Sequence, residues 1–239
     1  MRKIILSIFI LLISIISFGF HISPDGFGKR IDNDEGFQEY TFKNMTGKTI
    51  RYKFAVLPGK NPEKSMDKWI EFEPKYMTIK EGESKKLKLY AKSPEGAKEG
   101  DYNFYLAVNS VTVPGVLDEK KESVVAGTTV GINMNIEMLG WVGDLPAKLK
   151  LEKYEIYEKD GKVMFKGFVN NHTEKRFVRY MIEVIGNRGE KATLLGGVLP
   201  AKKTNEFDVE IPQFKKKSDV WKIEVRETLD RNLIQTIKL

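Results

Sequence analysis

The chain has 239 residues, contains no cysteine, and carries 40 Lys and Arg against 33 Asp and Glu, a formal net charge of +7. Without cysteine it can form neither disulfides nor a cysteine-borne lipid anchor, so its folded state must rest on apolar cores. The basic excess is modest and spread along the chain instead of being gathered in one arm, which argues against a nucleic-acid partner.

Arg2 and Lys3 precede an apolar run from Ile4 to Phe18 broken only by serines, and Ser17 and Gly19 place small residues at −3 and −1 of a junction before Phe20. This is the three-part pattern of a secretory signal peptide, expected over residues 1–19. The apolar core of about 15 residues spans roughly 22 Å as a helix, short of the ~30 Å of bilayer hydrocarbon. A periplasmic or secreted location in the cell envelope follows from cleavage; a retained segment would instead tether the chain to the membrane. The remainder suits two domains of roughly 100 residues.

Asp32-Asn33-Asp34-Glu35-Gly36 sets oxygen atoms at alternate positions before a glycine, but the third ligand and closing glutamate of a calcium loop are missing. Beyond residue 36 the hydrophobic period is two almost throughout. Gln38 to Lys43 reads as a strand, Asn44 to Lys48 as a turn, and Ile50, Tyr52, Phe54 and Val56 alternate with Arg51, Lys53 and Ala55 in the next strand. Trp69 to Phe72, Tyr76 to Ile79, the segment bearing Leu87 and Leu89, and Tyr102 to Val108 continue the pattern. Between Val111 and Val125 a connection carries Val113, Val116, Leu117 and Val124, an apolar content that points to a partner. From Thr128 to Met138, Val130, Ile132, Met134 and Ile136 alternate with Gly131, Asn133, Asn135 and Glu137, about 36 Å at ~3.3 Å per residue.

Gly140 to Pro146 interrupts the alternation and is expected to link domains 20–140 and 141–239. Leu151 to Tyr157, Val163 to Val169, Phe177 to Ile185, Thr193 to Val198, Glu206 to Ile211, Val220 to Arg226 and Leu233 to Leu239 read as further strands. The fold class is therefore all-β, two tandem immunoglobulin-like sandwiches after a signal peptide. An internal repeat supports the pairing. Phe42-Lys43-Asn44 leading to Arg51-Tyr52 matches Phe168-Val169-Asn170 leading to Arg179-Tyr180, the second copy two residues longer in its turn.

Catalytic patterns are missing. There is no phosphate loop, dinucleotide fingerprint or nucleophile elbow. His21 and His172 have no second ligand at metal spacing, so no metal and no cofactor are expected. Lys215 to Lys217 reads as a solvated turn. The chain is expected to be a binding protein and not an enzyme.

Trp69-Ile70-Glu71-Phe72-Glu73-Pro74, then Met77 to Ser84 and Leu87-Lys88-Leu89, resembles the middle of the first domain of PapD-like periplasmic pilus assembly chaperones. Phe104 to Asn109, ending at Pro114, is similar to the strand and loop that follow in that family. The resemblance covers residues 20–140. It implies an assembly chaperone that lends a strand to an exported, pilin-like subunit, with main-chain pairing along the edge and alternate apolar side chains filling the subunit's groove. Val130, Ile132, Met134 and Ile136 are the expected groove-fillers; Lys29 or Arg30 matches by position an arginine that in the family anchors the subunit's C-terminal carboxylate, and Arg30 is taken as the candidate anchor. The companion lysine has no counterpart, because 128–138 contains no Lys or Arg. A cell-surface binding module similar to WxL-interacting proteins has a comparable layout. A carbohydrate binder using Trp69, Trp141 or Trp221 is a third alternative.

Overall fold

The computed structural model describes residues 19–111, 131–228 and 232–239. The signal-peptide run up to Phe18, the apolar connection after Val111, and Thr128 and Val130 lie outside the described residues. Among the described residues the regular elements are strands and short 3-10 turns, and no helix is long and apolar enough to cross a membrane.

Two compact units emerge. The first takes the chain through Glu95 together with Tyr102–Gly140, and the second takes Gly96–Asp101 with Trp141–Leu239. Gly96–Asp101, read from the sequence as part of the first domain, groups with the second because Asp101 accepts the Phe177 amide at 2.8 Å and Glu99 pairs with Lys175 at 3.0 Å.

The strands along the first unit are β1 (Gly19–Ser23), β2 (Gly28–Arg30), β3 (Phe37–Met45), β4 (Ile50–Pro58) and β5 (Ile70–Glu73). They continue as β6 (Tyr76–Ile79), β7 (Ser84–Ala91), β8 (Gly100–Val111) and β9 (Asn133–Val142). One sheet runs β1-β3-β7-β5 and the other β2-β9-β8-β4-β6. Period-two alternation puts Tyr40, Phe42, Tyr52, Leu87, Leu89, Phe104 and Val108 inside, each at 0 % exposure. The Phe42 and Phe54 rings meet edge to face at 5.0 Å, and Phe20 of β1 stacks on Phe42 at 6.0 Å. Pro24 lies between β1 and β2, and Pro74 between β5 and β6. At both points the chain leaves one sheet for the other, where a residue with no amide hydrogen costs no ladder bond. β1 and β2 were not legible as strands: the first coincides with the cleavage pattern, and three residues are too few to show a period.

The second unit contains β10 (Leu149–Lys159), β11 (Lys162–Asn171), β12 (Val178–Gly186) and β13 (Lys191–Leu199), then β14 (Thr204–Glu210), β15 (Val220–Glu227) and β16 (Leu233–Lys238). Its sheets run β10-β11-β14 and β13-β12-β15-β16, and enclose a core of Leu151, Phe165, Val169, Tyr180, Ile182 and Ile223. On the outer face of the second sheet, Glu183 and Glu224 stand directly opposite each other. Arg226 relieves that repulsion by reaching both, and Lys222 closes on Glu224 at 2.5 Å.

The internal repeat is present with a different register. Asn44 is fully buried; its amide donates to the Lys48 and Ile79 carbonyls at 2.6 and 2.9 Å, and its oxygen accepts the Thr46 amide at 3.0 Å. Asn171, not Asn170, does the same in the second unit, donating to Arg176 and Leu199 and accepting from Thr173. Each asparagine thereby ties the end of one strand to the opposite sheet. Phe42 is matched by the buried Val169, whereas Phe168 is half-buried on the other face, as a one-residue slip in a period-two element requires.

The paired tyrosines of the repeat differ in one bond. The Tyr180 hydroxyl accepts the Asn205 amide at 2.7 Å, while the buried Tyr52 hydroxyl has no partner among the described residues. Burial pushes both phenols above their ordinary range. Tyr180→Phe is expected to destabilise by about 1 kcal/mol and Tyr52→Phe to be neutral or stabilising, measured by urea unfolding.

A second test concerns pH. The hydrogen bond from Lys222, with that of Arg226, holds the Glu224 carboxyl below the usual range despite its burial. A lowered carboxylate pKa contributes stability above the unfolded-state value, and that stability is lost as pH falls through the folded-state value. Glu224→Gln should therefore lower the unfolding midpoint at pH 7, and the gap to wild type should close between about pH 5 and pH 3.

Candidate functional site

β9 is where the sequence places most of the candidate residues. It begins at Asn133 and runs on to Val142, past the Gly140 expected to break it. Gly140 serves packing here: a Cβ at that position would lie 3.1 Å from Met66 Sδ and 3.2 Å from Ile31 Cγ2. Met138 is fully buried and its sulfur accepts the Tyr40 hydroxyl at 3.6 Å, so the Ile-Met-Ile-Met row faces the core.

Coverage of that row changes along the strand. Met138 to Val142 are all buried, but Ile132, Met134 and Ile136 are only half-buried, and Gly131, Asn133, Asn135 and Glu137 on the other face are exposed. The outer neighbour of β9 is β2, three residues long against ten. The Leu139 amide donates to Phe27 just before β2, and Ile31 just after β2 packs on Gly140, so β2 runs beside the C-terminal half of β9. The edge from Asn133 to Glu137 extends beyond it. On the other side Ile132 is secured to β8, its amide donating to Ser110 Oγ at 2.8 Å and its carbonyl accepting the Ser110 amide at 2.7 Å.

Ile132, Met134 and Ile136 therefore share one face of one strand. Arg30 is not brought to them. It ends β2 and grips Asp32 with two bonds of 2.8 and 3.1 Å. Sequence reasoning passed over Glu137, whose carboxylate accepts the Asn103 amide at 2.9 Å. The two residues are 34 apart in sequence, so nothing local announces the bond.

The remaining candidates are dispersed. Among the described residues no three His, Asp or Glu side chains stand together as a metal site. Asp32 is engaged by Arg30, and the Asn33 side chain accepts the Glu35 amide. Trp141 is buried beneath the Arg176 guanidinium at 3.5 Å, Trp69 lies against Tyr102 at 4.7 Å, and Trp221 is exposed with Lys222 near its ring. Arg176 also binds Glu227 and donates to the Leu145 carbonyl at 2.8 Å, which makes it a buried, paired charge of the second unit.

No protein-family model matches the chain, and no curated protein matches it in sequence. Solved structures match over most of the chain at low identity. The Pseudomonas aeruginosa CupB2 chaperone is 12 % identical, with a TM-score of 0.43 over 92 % of this chain and 100 % of its own. The E. coli chaperone DraB is 11 % identical, with a TM-score of 0.46 over 93 % and 98 %. The SafA pilin–SafB chaperone complex of Salmonella enterica is 11 % identical, with a TM-score of 0.47 over 93 % and 96 %. Each of these three solved structures is a chaperone or contains one, and this chain is similar to each at low identity.

Proposed function

We propose that the protein is an exported, non-enzymatic chaperone that binds a pilin-like subunit by strand addition along the open edge of β9. The observation that carries this reading is the uneven cover of one apolar row. Met138 is completely buried, Ile136, Met134 and Ile132 are half-buried, and the strand that should flank them stops short. An added strand would pair with Asn133–Glu137 where, among the described residues, β2 does not reach, and its own apolar side chains would continue the core over Ile132, Met134 and Ile136. Val130, outside the described residues, is the next apolar position of the sequence alternation and is included in the proposed row. Arg30 is the candidate anchor for a subunit carboxylate, at the cost of exchanging its bond to Asp32.

The half-burial of these residues makes the test clean. Ile132→Asp and Met134→Asp should keep the unfolding midpoint within about 5 °C of wild type while abolishing co-purification with a pilin-like subunit co-expressed from the same cell. Met138→Asp should unfold the first unit. Unfolding of the Ile132 and Met134 variants would reduce the row to ordinary core, and retention of the subunit by folded variants would move the site elsewhere.

A further inference from the structure

An apolar row of period two does not set a register. Ile132, Met134 and Ile136 present nearly the same surface after a slip of two residues, so an added strand could sit in several positions with similar burial. Something that does not repeat must choose among them. Between Gly131 and Val142 the chain carries a single charge, Glu137.

Glu137 is unusual in its company. The protein has an excess of cations, yet among the described residues no Lys, Arg or His lies within ion-pair distance of this carboxylate, and its one partner is the neutral Asn103 amide at 2.9 Å. The neighbouring pairs on the outer face of β8 and β4, Tyr105 with Leu57 and Ala107 with Ala55, are uncharged. The Asn103 side chain turns its nitrogen to Glu137 and its oxygen to Gly59, where a Cβ would lie 2.0 Å away; that oxygen is buried and has no hydrogen-bond partner among the described residues. The carboxylate is thus positioned on the exposed face of β9, just beyond the cover of β2, with acceptor capacity to spare.

We infer that Glu137 sets the register of the bound strand by pairing with a Lys or Arg on it, Asn103 acting as the positioning residue. The inference rests on the strand-addition reading and adds the chemistry of the partner: an alternating strand whose polar face carries a cation opposite Glu137. Directly opposed side chains on one face of a sheet lie about 5 Å apart, within reach of such a pair.

The test uses three synthetic eleven-residue peptides of alternating valine and threonine, with the central threonine replaced by lysine, glutamine or glutamate. Each is titrated to millimolar concentration into the full chain and followed by the NMR shifts of the β9 amides. The lysine peptide should bind wild type about fivefold more tightly than the glutamate peptide at low salt, and the preference should shrink in 0.5 M NaCl. Glu137→Gln should abolish the preference, Glu137→Lys should invert it, and Asn103→Ala should weaken it without changing the unfolding midpoint by more than about 5 °C. Equal affinities for wild type, or a preference that survives Glu137→Gln, would overturn the role of Glu137 alone. Failure of all three peptides to shift any β9 amide would overturn both this inference and strand addition.

Discussion

Everything distinctive about the first unit follows from how far one apolar row is covered. A strand in a two-layer sandwich must bury its inward side chains against the facing sheet and satisfy its main chain on both edges. β9 meets both demands at its C-terminal half, where Met138 is sealed by Tyr40 and Leu139 donates to Phe27. At its N-terminal half, among the described residues, β2 ends after three residues and Ile132, Met134 and Ile136 are only half-buried. Native sheets commonly guard such an edge with an inward charge, a proline or a bulge. Residues 132–136 contain no charge and no proline. An unguarded edge in a chain otherwise rich in charge is a surface suited to pairing.

The edge remains usable because the rest of the molecule is closed by other means. With no cysteine, each unit is locked by packing and by one buried asparagine, Asn44 or Asn171, that joins strand end to opposite sheet. Both belong to Asn-x-Thr sequences, yet both amides are consumed by main-chain carbonyls inside the protein and are not available for modification. The second unit defends its own edge differently. β10 changes register between Glu152 and Glu155, and its Leu151 amide is capped by the Gln235 side chain.

Legibility in the sequence tracked how local each feature is. The strands from β3 onward were readable because one half-buried face imposes strict alternation on residues such as Tyr52 and Phe54 or Ile182 and Val184. β2 was not readable, since Gly28-Lys29-Arg30 is too short for a period, and β9 was cut short because Gly140 looks like a breaker until Met66 and Ile31 are seen against it. The repeat was recognisable but slipped by one position, because Asn170-Asn171 offers two equivalent choices and only burial decides between them. At the site, the alternation of Ile132, Met134 and Ile136 was plain, whereas their incomplete burial depends on the length of a strand a hundred residues earlier. The Asn103–Glu137 bond is likewise a product of the fold.

The electrostatics of the edge favour reading a side chain over reading a chain end. Arg30 already holds Asp32 with two hydrogen bonds. Taking an external carboxylate would exchange one bidentate pair for another, a swap whose net gain is small because the bond to Asp32 is given up and the incoming group must be immobilised. Glu137 gives nothing up on meeting a cation, since a carboxylate can accept several bonds and keep the one from Asn103. The two charges therefore differ in what binding gains from them. Arg30 would have to give up its hold on Asp32 to act as an anchor, whereas Glu137, with no Lys, Arg or His within ion-pair distance among the described residues, can add a cation without such an exchange. Strand addition here would then be fixed along its length, by apolar alternation for adhesion and one charge for register, with less reliance on the partner's terminus.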